Sequence, residues 1–249
     1  MVTFQLRPVP PYDFDKMKRR LARVGQQPYR FEGEWLVRTV RVGGNVYLTS
    51  VRSEGTVSHP LLTVRVAGVS DNKELPALSR HLARMYSVDL DMGGLYEKLA
   101  EDAVLAPLAE RFYGLRIVCD ADLFECMTKT IVGQQLNLSF AATLNRRLME
   151  VASETFRHGD GEYPVFPSPE QVASLDVETL KRLQFSERKA QYVIDFARHV
   201  VDGRLDLAAL ERMDNAEIME RLTRIRGIGR WTVECFLLFG LGRNDLLPA

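Results

Sequence analysis

The stretch Leu222-Thr-Arg-Ile-Arg-Gly-Ile-Gly-Arg-Trp-Thr232 decides the fold of the C-terminal half of the chain. Its surroundings predict one helix over residues 215–224 and a second that begins near Arg230, with Gly227 and Gly229 in a tight turn between them. Two isoleucines in the turn are suited to anchor it in a core. The glycines let a phosphate approach the backbone closely, and the second helix directs its free N–H groups and positive dipole end to the same place. The pattern therefore predicts a turn that binds phosphate.

The same stretch is locally basic within a neutral chain. Lys plus Arg and Asp plus Glu both number 33, so binding to nucleic acid must depend on local clusters rather than on net charge. Residues 221–230 contain no acidic residue and hold four arginines, namely Arg221, Arg224, Arg226 and Arg230. An isolated Gly-x-Gly is more often a plain turn between helices. Flanking helices, the anchors Ile225 and Ile228 and the arginines favour the phosphate-binding interpretation here.

Composition excludes several classes of protein. The chain has 249 residues, 46% of them hydrophobic and 27% charged, which is typical of a globular protein large enough for one or two cores. No stretch approaches the roughly 20 apolar residues of a membrane span, and residues 1–11 have no apolar signal-peptide core. Three cysteines without a close-spaced pair and four scattered histidines argue against a disulfide scaffold, a zinc ribbon or a histidine metal site. We expect a cytoplasmic protein that does not bind membranes.

Patterning divides the chain into two parts. Strand patterns at residues 35–42, 46–51 and 57–66, between helical patterns at 14–24 and 75–85, predict an N-terminal α+β, β-rich domain over residues 1–105. Residues 106–249 are predicted to be mostly α-helical, with helices from Asp122, at 139–153, 175–183 and 186–201, a loop at 158–169, and the hairpin helices.

Three further motifs occur in order along the chain with the hairpin. They are Ile131-Val-Gly-Gln-Gln-Leu-Asn-Leu-Ser139, Phe185-Ser-Glu-Arg-Lys-Ala-Gln-Tyr192 and Leu237-Leu-Phe-Gly-Leu-Gly-Arg-Asn-Asp245. Together with the opening Pro10-Pro-Tyr-Asp-Phe14, they resemble the helix-hairpin-helix DNA glycosylases of the alkylpurine, or 3-methyladenine DNA glycosylase II, type. The resemblance covers essentially the whole chain. It implies a β-rich N-terminal domain, a helical glycosylase domain, and excision of alkylated purines in base-excision repair.

The resemblance also implies roles for individual residues. Gln135, with Leu136 beside it, matches the wedge that fills the gap left by a flipped nucleotide, although a helix-capping amide is the alternative. Trp231 matches the wall on which the flipped base stacks, with a core tryptophan as the alternative, and Cys235 one turn later either widens the pocket or packs in the core. The hairpin implies contacts to double-stranded DNA from Arg226, Gly227, Gly229, Arg230 and Thr232.

The resemblance bears on mechanism and cofactors as well. Trp231 occupies the position at which strand-cutting relatives carry a lysine, and tryptophan cannot form an imine, so we expect a monofunctional enzyme. The iron–sulfur branch needs four closely spaced cysteines, which the sequence does not show. We expect no metal or organic cofactor for the reaction. A monovalent cation held by the backbone carbonyls of Thr223, Ile225 and Ile228 is the one ion that the resemblance suggests.

The catalytic residue is the point at which the sequence departs from this pattern. The family's aspartate follows the Pro248-Ala249 segment by one or two residues, and the helices that close the domain come later still, so we expect that aspartate beyond Ala249. Asp245 belongs to the Gly-Arg-x-Asp segment and is expected to be structural. Two alternatives stay open: a catalytically silent protein that binds damaged DNA, and a glycosylase for oxidised or mismatched bases. In each case we expect a monomer acting on duplex DNA that contains damaged bases.

Overall fold

The computed structural model describes residues 1–24 and 28–248 and divides into two compact units, one up to Val118 and one from Cys119 onward. This division lies later in the chain than the boundary at 105/106 that the sequence indicates. Residues near 114–117 belong to the first unit because the carbonyl of Gly114 accepts the N–H of Asp13 at 2.7 Å and that of Ile117 accepts the hydroxyl of Ser87 at 2.7 Å.

The first unit is built on a five-stranded antiparallel sheet with strand order β1-β5-β4-β3-β2. Its strands are β1 (Val2–Leu6), β2 (Arg30–Glu32), β3 (Trp35–Val42), β4 (Asn45–Ser53) and β5 (Leu62–Ala67). Its helices are α1 (Phe14–Val24), a 3₁₀ turn (Asn72–Glu74), α2 (Leu75–Met85), α3 (Gly93–Ala100) and α4 (Ala106–Arg111). The helices at 14–24 and 75–85 and the strands at 35–42 and 46–51 are confirmed. The strand predicted at 57–66 begins only at Leu62, because residues 54–61 close a turn through hydrogen bonds from the Glu54 N–H to the Leu61 carbonyl and from the Thr56 N–H to the His59 carbonyl.

The second unit is mainly helical. Its elements are α5 (Leu123–Gly133), α6 (Leu138–Ala152), β6 (Thr155–His158), β7 (Gly161–Pro164), α7 (Pro169–Ala173), α8 (Val177–Arg182), α9 (Glu187–Val201), α10 (Leu207–Leu210), α11 (Asn215–Thr223) and α12 (Arg230–Phe239). Phe124 of α5 and Phe196 of α9 stack at 5.4 Å between ring centroids, in the middle of a core to which most of the other helices contribute. Asp214 and Glu217 form a complete capping box at the start of α11, as predicted.

The prediction of an irregular loop between α6 and the following helices was wrong. Residues 158–169 were expected to be irregular, but β6 and β7 form a hairpin joined by Gly159 and Asp160, with Gly159 at φ +56°. A two-residue loop with a left-handed glycine is a favoured hairpin connection, and Phe156 opposite Tyr163 supplies an aromatic cross-strand pair. The Gly-Asp signal was present in the sequence, but the polar and proline-rich context around it suggested a loop.

Candidate nucleic-acid interface

The turn between α11 and α12, residues 224–229, is hereafter the hairpin turn. The N–H of Ile225 donates to the Leu222 carbonyl at 3.0 Å, and the N–H of Ile228 donates to the Ile225 carbonyl at 3.1 Å. Both isoleucine side chains are buried in the core of the second unit. The hairpin turn is therefore anchored from inside, as the sequence predicted, while Arg226 and Gly229 face outward.

The two glycines of the hairpin turn serve different purposes. Gly227 has φ +88°, and a Cβ atom there would lie 2.3 Å from Cγ of Tyr192, so the fold itself excludes any side chain. Gly229 has φ −102° and ψ 177°, which any residue adopts, and a Cβ atom there would meet nothing within 4 Å. The space beside Gly229 is open to an incoming group.

That open space lies at the N-terminus of α12, where backbone N–H groups need acceptors. Side chains of Asp122, Asn137, Ser186 and Asp214 accept first-turn N–H groups of α5, α6, α9 and α11. Gly229 precedes α12 and has no side chain to do so. Within residues 1–24 and 28–248, the N–H groups of Arg230, Trp231 and Thr232 have no hydrogen-bond acceptor. Such N–H groups, with the positive end of the helix dipole, form a site for an anion.

The arginines around this site are partly neutralised. Arg224 pairs with Glu220, and Nε of Arg230 lies 2.7 Å from Oε1 of Glu234, which raises the pKa of Arg230. Arg221 and Arg226 form no ion pair in the described part of the chain, and the guanidinium of Arg226 lies 5.9 Å from the Tyr192 ring centroid. The Arg224–Glu220 pair is exposed and contributes little stability, so a phosphate can compete with Glu220. Glu234 is buried, but the side chain of Arg230 is largely exposed and open to a phosphate. The acidic partners lie just outside the stretch that the sequence marks as free of acidic residues.

Residues 133–136, hereafter the Gln135 turn, follow the C-terminus of α5. Gln134 has φ −51° and ψ 129°, Gln135 has φ +55°, and the N–H of Leu136 donates to the Gly133 carbonyl at 3.2 Å. This is a type II β-turn whose third residue is usually glycine or asparagine. A glutamine in the left-handed conformation costs about 1–2 kcal/mol, and such strain is typical of functional positions.

The two predicted wedge residues differ in exposure. Gln135 is exposed, and its side chain makes no hydrogen bond with any residue that the structure describes, so it does not cap a helix. Leu136 is partly buried and packs against the core. Both residues line one open cavity beside the hairpin turn, Gln135 with an exposed side chain and Leu136 with a partly buried one.

Two side chains that the sequence analysis did not select hold the Gln135 turn in place. Nζ of Lys189 donates to three carbonyls at the end of α5, those of Ile131, Val132 and Gln134, at 3.1, 2.8 and 2.9 Å. Burial lowers the pKa of Lys189. These carbonyls are the acceptors that a helix C-terminus leaves unsatisfied, and a cation there also complements the helix dipole.

The second side chain that holds the Gln135 turn is that of Gln134. Its Nε2 donates to the Gly227 carbonyl and to Oγ1 of Thr232, both at 2.8 Å. The structure restricts the predicted DNA contact of Thr232 to its backbone, because its side chain is 2% exposed and accepts a hydrogen bond from Gln134. Only the backbone N–H of Thr232 is available to a ligand. No local sequence signal distinguishes Gln134 from Gln135, since the bonds span more than 90 residues.

Trp231 and Cys235 lie one helical turn apart but in different environments. Trp231 is 40% exposed, which excludes the alternative of a core tryptophan. It lines an open cavity of about 890 Å³ together with Gln135, Tyr192 and the hairpin turn. Cys235 is buried, does not line this cavity, and has its pKa raised to about 11, chiefly by burial. Cys235 packs as a protonated thiol in the core.

Asp245 lies away from the hairpin turn. Its Oδ2 accepts a hydrogen bond from Nδ2 of Asn215 at 3.4 Å, and Arg243 also contacts Asn215. Asn215 begins α11, so the length of that helix, about 12 Å for nine residues, separates Asp245 from the hairpin turn. The position fits the structural role that the sequence suggested.

Comparisons with known proteins agree with this geometry. Residues 128–249 match the HhH-GPD superfamily of base excision DNA repair proteins, and residues 3–122 match the AlkA N-terminal domain. YfjP of Bacillus subtilis, named as a candidate DNA-3-methyladenine glycosylase, is 36% identical over 96% of this chain and 80% of its own length. A second B. subtilis protein, named DNA-3-methyladenine glycosylase, is 32% identical over 64% of this chain and 52% of its own length. The solved 3-methyladenine DNA glycosylase of Archaeoglobus fulgidus superposes with a TM-score of 0.82 at 26% identity, over 97% of this chain and 80% of that chain.

No helix in the described ranges is long and apolar enough to cross a membrane.

Proposed function

The chain belongs to the HhH-GPD superfamily of base excision DNA repair proteins, and we propose that it is a monofunctional glycosylase for alkylated purines. The observation that carries the proposal is the juxtaposition of the uncapped N-terminus of α12, the exposed ring of Trp231 and the outward Gln135 around one cavity. Relatives named as 3-methyladenine glycosylases support the choice of substrate. Tryptophan at position 231 supports simple hydrolysis, because a Schiff base needs an amine.

Each part of the site fits one step of base excision. Backbone N–H groups of α12 hold a phosphate without reading sequence. Gln135 enters the stack and offsets part of the few kcal/mol that nucleotide flipping costs. N-alkylation makes a purine cationic, so the electron-rich face of Trp231 attracts the damaged base more than a neutral one. Departure of the base leaves an oxocarbenium-like sugar, which a carboxylate can stabilise electrostatically.

The proposal names duplex DNA with a damaged base as the substrate, a monomer as the active form, and the cytoplasm as its location. A monovalent cation would add positive charge beside the same phosphate. The carbonyls of Thr223 and Ile228 accept no hydrogen bond from the residues described, and that of Ile225 accepts one, from Ile228. The three oxygens therefore have lone pairs to offer such an ion, while the hydrolysis itself needs no cofactor.

The test compares base release by the protein from a methylated duplex and from a duplex that contains 8-oxoguanine. We expect release of 3-methyladenine from methylated DNA, no release of 8-oxoguanine, and strand breaks only after alkaline treatment. Release of 8-oxoguanine, or strand breaks without alkali, would overturn the proposed substrate or mechanism. Tight binding to damaged duplex without release would support instead the silent damage-binding alternative.

A further inference from the structure

We propose that Gln134 is a positioning residue that fixes the flipping wedge relative to the phosphate anchor. Its side chain joins the Gln135 turn to the hairpin turn, through Gly227, and to the first turn of α12, through Thr232. This inference rests on the proposed function, since it assumes that Gln135 enters a duplex held by α12.

The orientation of the Gln134 amide follows from its partners. The Gly227 carbonyl can only accept, so the amide must present its NH₂ group to it. The same nitrogen then donates its second hydrogen to Oγ1 of Thr232, which is buried. Both hydrogens are used in a fixed geometry, and each partner lies within a few residues of the N–H groups that face the phosphate.

Each of the two joined segments has its own support without Gln134. The Gln135 turn keeps its internal hydrogen bond and the contacts of Lys189. The hairpin turn keeps its buried isoleucines and the packing of Gly227 against Tyr192. Loss of the Gln134 side chain should therefore leave both segments folded but remove the direct side-chain tie between them. Phosphate binding and nucleotide flipping should then respond differently.

The experiment uses the full chain and two probes. An unmodified fluorescein-labelled duplex reports phosphate binding by anisotropy, and a duplex with 2-aminopurine beside an abasic-site analogue reports flipping by fluorescence. For Gln134→Met, which keeps the length but loses both hydrogen bonds, we expect affinity for the unmodified duplex within about twofold of wild type and a flipping equilibrium roughly tenfold weaker. Gln191→Met is the matched control, because it removes one 2.8 Å hydrogen bond, to Asp195, and does not line the cavity.

A double-mutant cycle with Gln135→Ala separates positioning from general stability. If Gln134 acts through Gln135, then Gln134→Met should change flipping by less than about twofold in the Gln135→Ala background. Thr232→Val removes only one of the two acceptors and should give a smaller effect that also disappears in that background, so the test does not depend on one variant folding.

Three results would overturn the inference: Gln134→Met behaving like Gln191→Met, equal losses on both probes, or independent effects of positions 134 and 135. Failure of the proposed function looks different, because wild type would then release no 3-methyladenine, and where it also shows no salt-dependent binding or no flipping signal the premise of this inference fails with it. Loss of binding or flipping in wild type would overturn both statements, whereas flipping without release of 3-methyladenine would overturn only the proposed function.

Discussion

Replacing Gly229 by serine should strengthen the fold and weaken DNA binding at the same time. Gly229 precedes α12 in an extended conformation, and an added Cβ meets nothing within 4 Å, so serine fits without strain. Serine is a better N-cap than glycine by a few tenths of a kcal/mol, and its Oγ would accept an N–H of the first turn. The N–H that donates to the serine is then no longer available to the phosphate.

The size of the effect follows from the same N–H groups. A hydrogen bond to a charged group contributes about 1.5–3 kcal/mol, so losing one to the phosphate should raise Kd roughly 10- to 100-fold. The loss should be equal for damaged and intact duplexes, because phosphate contacts carry no sequence information. The slope of log Kd against log salt should not change, since a neutral backbone N–H does not displace the cations condensed on the DNA.

Two other glycines provide the comparisons for this prediction. Gly94→Ser, at an open position in α3, should leave binding unchanged. Gly227→Ser should lower the melting temperature, because its φ is +88° and its Cβ would overlap the Tyr192 ring. The prediction is tested by measuring DNA affinity by anisotropy and melting temperature for Gly229→Ser, Gly94→Ser and Gly227→Ser. Unchanged affinity of Gly229→Ser, or a loss confined to damaged DNA, would refute the assignment of α12 as the phosphate anchor.

Three further predictions concern other sites. Trp231→Ala should weaken flipping and excision by about 1–3 kcal/mol with little change in melting temperature, because the ring is 40% exposed. An equal loss in intact-duplex binding and melting temperature would contradict base stacking. Gln135→Gly should raise the free energy of unfolding in urea melts by about 1 kcal/mol, since glycine adopts the φ of +55° without strain. The same variant should slow nucleotide flipping, because it removes the wedge side chain. A loss of stability would argue against backbone strain at position 135. Burial lowers the pKa of His81 from 6.5 to about 4. On acidification the unfolded chain therefore binds a proton before the folded one, and the free energy of unfolding should fall as the pH drops from 6.5 to 4. The variant His81→Gln should show a shallower decline, and a pH profile identical to that of wild type would contradict this prediction.

Local signals account for what the sequence could predict. The hairpin helices, the caps at Asp122 and Asp214, and the helices at 14–24 and 75–85 depend on residues close together in the chain. The strand β1 depends instead on β5, some 60 residues away in the chain, and has no turn signal of its own. It could not be found by periodicity, because its pairing partner is distant.

The same distinction explains what the sequence did not reveal about the site. Sequence spacing correctly placed Trp231 and the glycines near one another, because they share one turn. It could not show that the side chain of Thr232 faces inward, since that depends on Gln134, which follows α5. Lys189 belonged to a quoted motif, but only the structure shows that it binds the end of α5.

Rigidity of the Gln135 turn has a direct consequence for flipping. Fixing one residue's backbone costs about 1–2 kcal/mol, so a turn that ordered only on binding would add several kcal/mol to the few that unstacking requires. Here the left-handed Gln135 is held by its own turn hydrogen bond and by Lys189, while Gln134 ties the turn to the hairpin. The turn is already ordered in the folded protein, and the side chain of Gln135 makes no protein hydrogen bond that flipping would have to break. Flipping should therefore be limited by distortion of the DNA and not by reorganisation of the protein.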